Sequence, residues 1–206
     1  MERHPNPHRL FSTQLGLPLR QRGRGGARPN AGRKRGTRVS HRRRAPLAAR
    51  FPVHVTLRVR PEVWNLRGKL CFRALCGAFA GGRERGGFRL VHFAVLSNHL
   101  HLIVEASDER ALARGMQGLA IRMARSLNRE QARKGPVFAD RYHAHLLRSL
   151  AEVRNAVAYV LGNFAKHLAA SGREVGSGFV DPCSSDWPGL SALVAPARTW
   201  LLNRSD

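Results

Sequence analysis

Two histidines one residue apart lie within an apolar stretch of the sequence, NHLHLIVE at residues 98–105. If this stretch is a β-strand, His99 and His101 point to the same face about 7 Å apart, because side chains alternate between the two faces. Two neutral imidazoles placed in this way can bind one metal ion. Two surface or hydrogen-bonded histidines have the same spacing, so the pattern alone leaves both interpretations open.

A tyrosine and an asparagine four residues apart follow in AYVLGNF, residues 158–164. On an α-helix, Tyr159 and Asn163 lie about 40° from each other. The apolar stripe of this segment runs along another part of the helix surface, so the pair shares a polar face with Asn155 and Lys166. A tyrosine hydroxyl there can serve as a nucleophile beside a metal ligand. The alternative is a half-buried tyrosine whose hydroxyl contacts water.

The elements that position these residues follow an α+β order. Alternation of apolar and polar residues over 51–60 predicts a strand, and the stretch from Pro61 to Gly81 has helical periodicity. Further strands are predicted at residues 88–96, 99–106 and 137–148, and further helices after Ser107 and after Ser149. The order β-α-β-β-α-β-α indicates an α+β fold, a ferredoxin-like antiparallel sheet with packed helices.

Charge is the most unusual property of the chain. It has 36 lysines and arginines against 13 acidic residues, a net charge of +23, and 14 of the basic residues lie within residues 1–50. Such a surplus attracts polyanions, which favours nucleic acid as the partner. Residues 1–50 are also rich in glycine and proline and lack helical or strand periodicity, so they are predicted to form a disordered basic arm.

The arm offers two ways of contacting DNA. Short Arg-Gly runs can enter an A·T-rich minor groove. The alternative is a solvated arm that binds phosphates without sequence preference. The arm residues predicted to contact DNA are Arg22, Arg24, Arg33, Lys34 and Arg35.

Other features of the sequence concern the cellular compartment. No apolar run approaches the roughly 20 residues that a membrane-spanning helix needs, and no secretory signal is recognisable at the N-terminus. The three cysteines, Cys71, Cys76 and Cys183, lack C-x-x-C spacing and indicate free thiols in a reducing compartment. We expect a cytoplasmic, nucleoid-associated protein without a membrane partner.

Four segments resemble the single-tyrosine HUH transposases, in particular the branch associated with repetitive extragenic palindromes. They are HVTLRV (54–59), LSNHLHLIVE (96–105), GPVFADRYHA (135–144) and AYVLGN (158–163). The family pattern joins a His-hydrophobe-His strand to a helix with Tyr-x-x-x-Asn or Tyr-x-x-x-Gln. In this branch Asn-Pro commonly follows the tyrosine, whereas this chain has NFAKH at residues 163–167.

The resemblance implies a role for each residue of the two motifs. Tyr159 would be the nucleophile, and His99, His101 and Asn163 would bind a divalent metal. Two imidazoles and an amide oxygen suit Mg²⁺ or Mn²⁺, and zinc is not excluded. The substrate would be single-stranded or hairpin DNA from repetitive palindromes, cleaved and rejoined through a phosphotyrosine. The only other tyrosine, Tyr142, is assigned to packing.

The same interpretation divides the chain into a basic arm (1–50), a transposase-like domain (51–187) and a C-terminal tail (188–206), in a monomer or a homodimer. Basic side chains of the domain can follow the DNA backbone, although a solvated helix face would have the same composition. These residues are Arg122, Arg125, Arg129, Arg133, Lys134 and Lys166.

The sequence also permits two other functions. The first is a non-catalytic basic protein, derived from a transposase, that binds DNA or RNA. The second is a metal-dependent nuclease in which water, rather than tyrosine, is the nucleophile.

Overall fold

The structure is a computed structural model that describes residues 46–204. Five strands form one antiparallel sheet in the order β2-β3-β4-β1-β5. The strands are β1 (Val53–Arg58), β2 (Glu84–Arg85), β3 (Phe88–Val95), β4 (His99–Ala106) and β5 (His143–Leu146). The helices are α1 (Lys69–Ala80), α2 (Glu109–Glu130), α3 (Leu150–Ala170) and α4 (Trp200–Asn203), with a short 3₁₀ turn at Ser191–Leu193. This architecture confirms the predicted α+β class with a ferredoxin-like sheet.

The predicted arm over residues 1–50 falls largely outside the described part of the chain, which includes only its last five residues. Among these, Leu47 packs against the hydrophobic core. The backbone N–H of Phe51 donates to the carbonyl of Ala48 at 3.0 Å. The residues just before β1 thus contact the folded part, and the arm over residues 1–45 stays a prediction.

The two faces of the sheet are covered by different helices. Leu100 and Leu102 of β4 are buried in the core that α1 and α2 share with the sheet. Ile103 of the same strand packs with Val153 and Val160 of α3 on the opposite face. Since side chains alternate along a strand, His101 lies on the α3 face, between sheet and helix.

β1 occupies a central position in the sheet, between β4 and β5. Thr56 pairs with His101 on one side and with His143 on the other. The apolar residues of β1 face α1 and α2, and its polar residues face α3. This alternation, which predicted the strand, also brings polar side chains of three neighbouring strands onto one face.

The long helices begin at the residues that the sequence predicted. The side chain of Asp108 accepts a hydrogen bond from the backbone N–H of Ala111 at 2.8 Å at the start of α2. The side chain of Ser149 accepts one from the N–H of Glu152 at 3.2 Å at the start of α3. Each cap satisfies a backbone donor that the helix itself cannot. No helix within residues 46–204 is long and apolar enough to cross a membrane.

The prediction that a helix begins at Pro61 is wrong, because α1 begins only at Lys69. Residues 61–68 form a loop, and the backbone N–H of Leu66 donates to the carbonyl of Ser97 at 2.9 Å. Leu66 is nevertheless fully buried. Leu66 is buried by tertiary contacts rather than as part of a helix. In the sequence, the spacing of such a buried residue resembles helical periodicity.

Two extended segments also differ in extent from the prediction. Of the stretch predicted at residues 137–148, only His143–Leu146 forms a strand, and Phe138 makes a single bridge to Val59. The two-residue strand β2 was not predicted. Short edge pairings of this kind carry too few residues to produce a recognisable alternation.

The C-terminal segment packs onto the folded part. The backbone N–H of Ala195 donates to the carbonyl of Leu90 at 2.8 Å. Leu201 and Leu202 of α4 are buried in the core on the α3 side of the sheet. The predicted domain boundary at residue 187 stays a prediction, and residues 188–204 contribute to the core.

Candidate functional site

The site lies between the sheet and α3, where aromatic and histidine rings from three elements meet. The ring centroids of Tyr159, on α3, and His101, on β4, are 5.2 Å apart in an edge-to-face arrangement. The ring of His54, on β1, lies 5.9 Å from that of Tyr159. The structure thus brings together the two motifs that the sequence placed 58 residues apart on a strand and a helix.

His101 is held by two residues of the neighbouring strand. Its Nδ1 lies 3.1 Å from Nε2 of His54 and 3.2 Å from Oγ1 of Thr56. The other ring nitrogen, Nε2, is buried and has no hydrogen-bond partner within the described residues. An unpartnered buried polar atom costs about 1–3 kcal/mol. Nε2 of His101 is therefore the atom of this ring that is available to a ligand.

Asn163 provides a second unpartnered polar group in the same region of α3. It lies one helical turn after Tyr159, and the residue is only 4% exposed. Its Nδ2 is buried without a hydrogen-bond partner in residues 46–204. A half-turn of the amide would exchange its oxygen and nitrogen. The group can therefore offer a ligand either a donor or an acceptor.

His99 is more open than His101. Its Nδ1 lies 2.7 Å from Oδ1 of Asn98, and its ring centroid lies 4.9 Å from that of His101. The ring centroid of His167, on α3, is 6.4 Å from that of His99. With His54 of β1, four histidines from three elements therefore border the site.

The surroundings of His54, His99 and His101 favour the neutral imidazole by lowering the pKa of each ring. Burial, followed by the nearby His54, lowers the pKa of His101 to about 3. Burial, followed by His145 and His143, lowers the pKa of His54 to about 4. The pKa of His99 is also lowered, first by burial and then by Arg58. Neutral imidazole is the form that binds metals and accepts hydrogen bonds.

One of the predicted DNA-contacting cations belongs to this site. The Nζ of Lys166 lies 5.5 Å from the centroid of the Tyr159 ring. Tyr159 itself is 41% exposed, so the residue is accessible from solvent. An exposed phenol beside a cation suits an anionic substrate such as a phosphodiester.

The other predicted DNA contacts are not brought to this site. Arg122, Arg125 and Arg129 lie on α2, which covers the opposite face of the sheet. Arg133 and Lys134 lie in the loop after α2, where the carbonyl of Val137 accepts a hydrogen bond from the N–H of Arg60 at 2.9 Å. The arm cations at residues 22–35 lie outside the described residues. Their roles stay predictions.

Three residues that border the site were not predicted from the sequence: His54, Thr56 and His167. His54 and Thr56 were recognised only as polar positions of a strand. Which partners they meet depends on strand register, which pairs residues 45 positions or more apart. His167 could have been found, because it lies on the same helical face as Tyr159 and Asn163 at four-residue steps.

The family resemblance implies a divalent metal bound by His99, His101 and Asn163. Within residues 46–204, no group of three or more histidine, cysteine, aspartate or glutamate side chains is arranged to hold a metal ion. The expected set is of another kind, two histidines and one amide. The unpartnered Nε2 of His101 and the unpartnered amide of Asn163 fit a ligand that supplies the missing contacts.

The fold has a solved counterpart. The chain is similar to the structure of a REP-associated tyrosine transposase bound to a REP hairpin, with a TM-score of 0.54 and 18% sequence identity. The similarity covers 72% of this chain and 83% of that one. No protein-family model and no curated protein matches the sequence. At this identity the comparison establishes a tyrosine-transposase-like fold and no more.

Proposed function

We propose that this protein is a metal-dependent DNA strand transferase, which cleaves and rejoins single-stranded or hairpin DNA through a phosphotyrosine intermediate. One observation carries the proposal: an exposed tyrosine lies against a buried histidine whose Nε2 has no partner. The transposase-like fold supports it, and that counterpart is bound to a hairpin. The net charge of +23 suits a DNA substrate.

Tyr159 is the proposed nucleophile. Attack of its hydroxyl oxygen on phosphorus forms a phosphorus–oxygen bond to the tyrosine and breaks the bond to the 3′ oxygen of the leaving strand. The phenol loses its proton and the departing oxygen gains one, which leaves a 5′-phosphotyrosine and a free 3′-hydroxyl. Attack by a 3′-hydroxyl reverses the step. Because one ester replaces another, rejoining needs no ATP.

The residues proposed to hold a divalent ion, Mg²⁺ or Mn²⁺, are His99, His101 and Asn163. When bound there, such an ion would polarise the scissile phosphate and stabilise negative charge on it. For Nε2 of His101 to present a lone pair, its Nδ1 must carry the proton and donate it to Thr56 or His54. These two β1 residues thus fix both the tautomer and the orientation of the ring.

The division of the chain follows from these roles. We place the catalytic unit in residues 51–187, as the resemblance implies, with the packed C-terminal residues supporting it. The arm over residues 1–50 would hold DNA through phosphate contacts. Lys166, beside Tyr159, is proposed to attract the phosphate that is attacked.

Replacement of the buried histidine tests the proposal. His101→Ala should lower divalent-dependent cleavage of a hairpin oligonucleotide by at least about 100-fold, because it removes a metal ligand. DNA affinity should change less than about twofold, because phosphate contacts elsewhere supply it. Cleavage is measured on labelled DNA with Mg²⁺ or Mn²⁺, and affinity by titration without metal.

His92→Ala is the matched control, because His92 lies on the same face of the adjacent strand and contacts Ser185. It should cleave like the parent. Undiminished cleavage by His101→Ala would contradict the assignment of the metal site. A parent protein that binds the hairpin and leaves it whole at every metal concentration would favour the non-catalytic alternative.

A further inference from the structure

A groove of about 450 Å³ opens between α2 and the turn that joins β2 to β3. It lies on the α2 side of the sheet, whereas Tyr159 lies on the α3 side. Nothing in the proposed reaction uses this groove. Three arginines line it, Arg85, Arg114 and Arg122, together with the amide of Gln117.

The charged side chains that line the groove are all basic, and they lie beside the apolar Phe88, Leu119 and Ile121. The described residues that line it include no acidic side chain. Arg85, Arg114 and Arg122 are exposed, and within residues 46–204 none of them forms an ion pair. The charge of Arg114 acts on Asp108, at the first turn of α2, without ion-pair contact. Three guanidinium groups around one cavity therefore remain available to an anion.

The shape of the groove depends on glycines. A Cβ atom on Gly115 would lie 2.1 Å from the ring of Phe88, so glycine there lets α2 approach β3 and form the floor. A Cβ atom on Gly86 or Gly118 would meet nothing within 4 Å. The space beside these two positions is therefore open. An extended, backbone-sized ligand can therefore enter between the arginines.

We propose that this groove binds the phosphodiester backbone of nucleic acid, at a site separate from the one around Tyr159. Guanidinium groups bind phosphate oxygens with paired hydrogen bonds. A glutamine amide can donate to phosphate or sugar oxygens. Because the sheet separates the two sites, the groove holds DNA at a distance from the phosphate that is cleaved. The inference rests on the proposed function only in taking DNA as the ligand.

Charge reversal provides the first test, carried out on the full chain. Arg85→Glu combined with Arg114→Glu should weaken binding of a hairpin oligonucleotide by at least about tenfold. The slope of log affinity against log salt concentration should become shallower by about 2, since each lost phosphate contact removes about 0.9. An unpaired oligonucleotide of equal length is titrated in parallel. A loss of affinity for either oligonucleotide supports the site. Unchanged affinity and an unchanged salt slope for both oligonucleotides would overturn the proposal.

Filling the groove without changing its charge provides the second test. Gly118→Met places a side chain in the groove and improves helix propensity, so the variant should fold. Its affinity for DNA should fall about fivefold through steric exclusion. Gly77→Met, on α1, is the matched control, because a Cβ atom there also meets nothing within 4 Å and the residue lies outside the groove. It should bind within about twofold of the parent.

Equal affinities of Gly118→Met and Gly77→Met would overturn the proposal. Both tests measure binding constants without metal, so they do not depend on cleavage. If the groove variants lose affinity while the parent never cleaves DNA, the proposed reaction is wrong and the proposed binding groove is supported. If the parent cleaves DNA and the groove variants bind it normally, the proposed reaction is supported and the proposed binding groove is wrong.

Discussion

At the scale of single residues, the site depends on which atom of His101 is left without a partner. The sequence placed His99 and His101 on one strand face, and Tyr159 and Asn163 on one helix face. Thr56 could not be assigned from the sequence, because its contact with His101 depends on the pairing of β1 with β4. Register is set by packing of the whole sheet, and no local pattern encodes it.

The role of Thr56 can be tested by removing only its hydroxyl group. Thr56→Val keeps the shape of the side chain and a strong preference for strands, so the fold should persist. Affinity for Mn²⁺ should fall by about 10-fold or more, as is typical when a residue that orients a metal ligand is lost. Isothermal titration calorimetry with Mn²⁺ alone measures this. Thr56→Ser, which retains the hydroxyl, should bind like the parent. Equal Mn²⁺ affinity in the valine variant would show that Thr56 does not orient His101.

At the scale of elements, the position of α3 decides whether Tyr159 faces the histidines. Arg67, in the loop before α1, stacks on Phe164 of α3 at 3.3 Å from the ring centroid. Its guanidinium also bonds both carboxylate oxygens of Asp181, at 2.7 and 3.0 Å. The sequence predicted where α3 begins, because Ser149 caps it locally. It did not predict this clamp, which joins three segments that are distant in the chain.

Removal of the acidic partner should reveal how much the clamp contributes. Asp181→Ala leaves Arg67 buried without its counter-charge, and its side chain is only 12% exposed. The free energy of unfolding should fall by about 3–5 kcal/mol. Urea unfolding followed by circular dichroism measures this.

Glu62→Ala is the comparison for the clamp, because Glu62 pairs with Arg60 at 3.2 Å on the surface. Its effect should stay below about 1 kcal/mol, as is usual for exposed pairs. If the two variants lost similar, small amounts of stability, the Arg67–Asp181 pair would not anchor α3.

At the scale of the whole molecule, basic side chains of the described residues lie on both sides of the sheet, on α2 and on α3, rather than at one site. In the sequence, 14 of the 36 basic residues lie within residues 1–50. Composition alone predicted a polyanionic partner. It could not predict which surfaces are basic, since that depends on which helix covers which face. DNA affinity should therefore be shared among many contacts. Removal of a single side-chain hydroxyl group should change this affinity little.

In the proposed reaction, Tyr159 forms a covalent bond to DNA. The most direct measurement mixes protein and a labelled single-stranded hairpin with Mg²⁺ or Mn²⁺, followed by a denaturing gel. The parent should give a protein–DNA band, and Tyr159→Phe, which lacks only the attacking oxygen, should give none while still binding DNA. Tyr142→Phe is the control and should give the band. A band that persists in Tyr159→Phe and is lost in Tyr142→Phe, or cleavage by the parent without any band, would contradict the account.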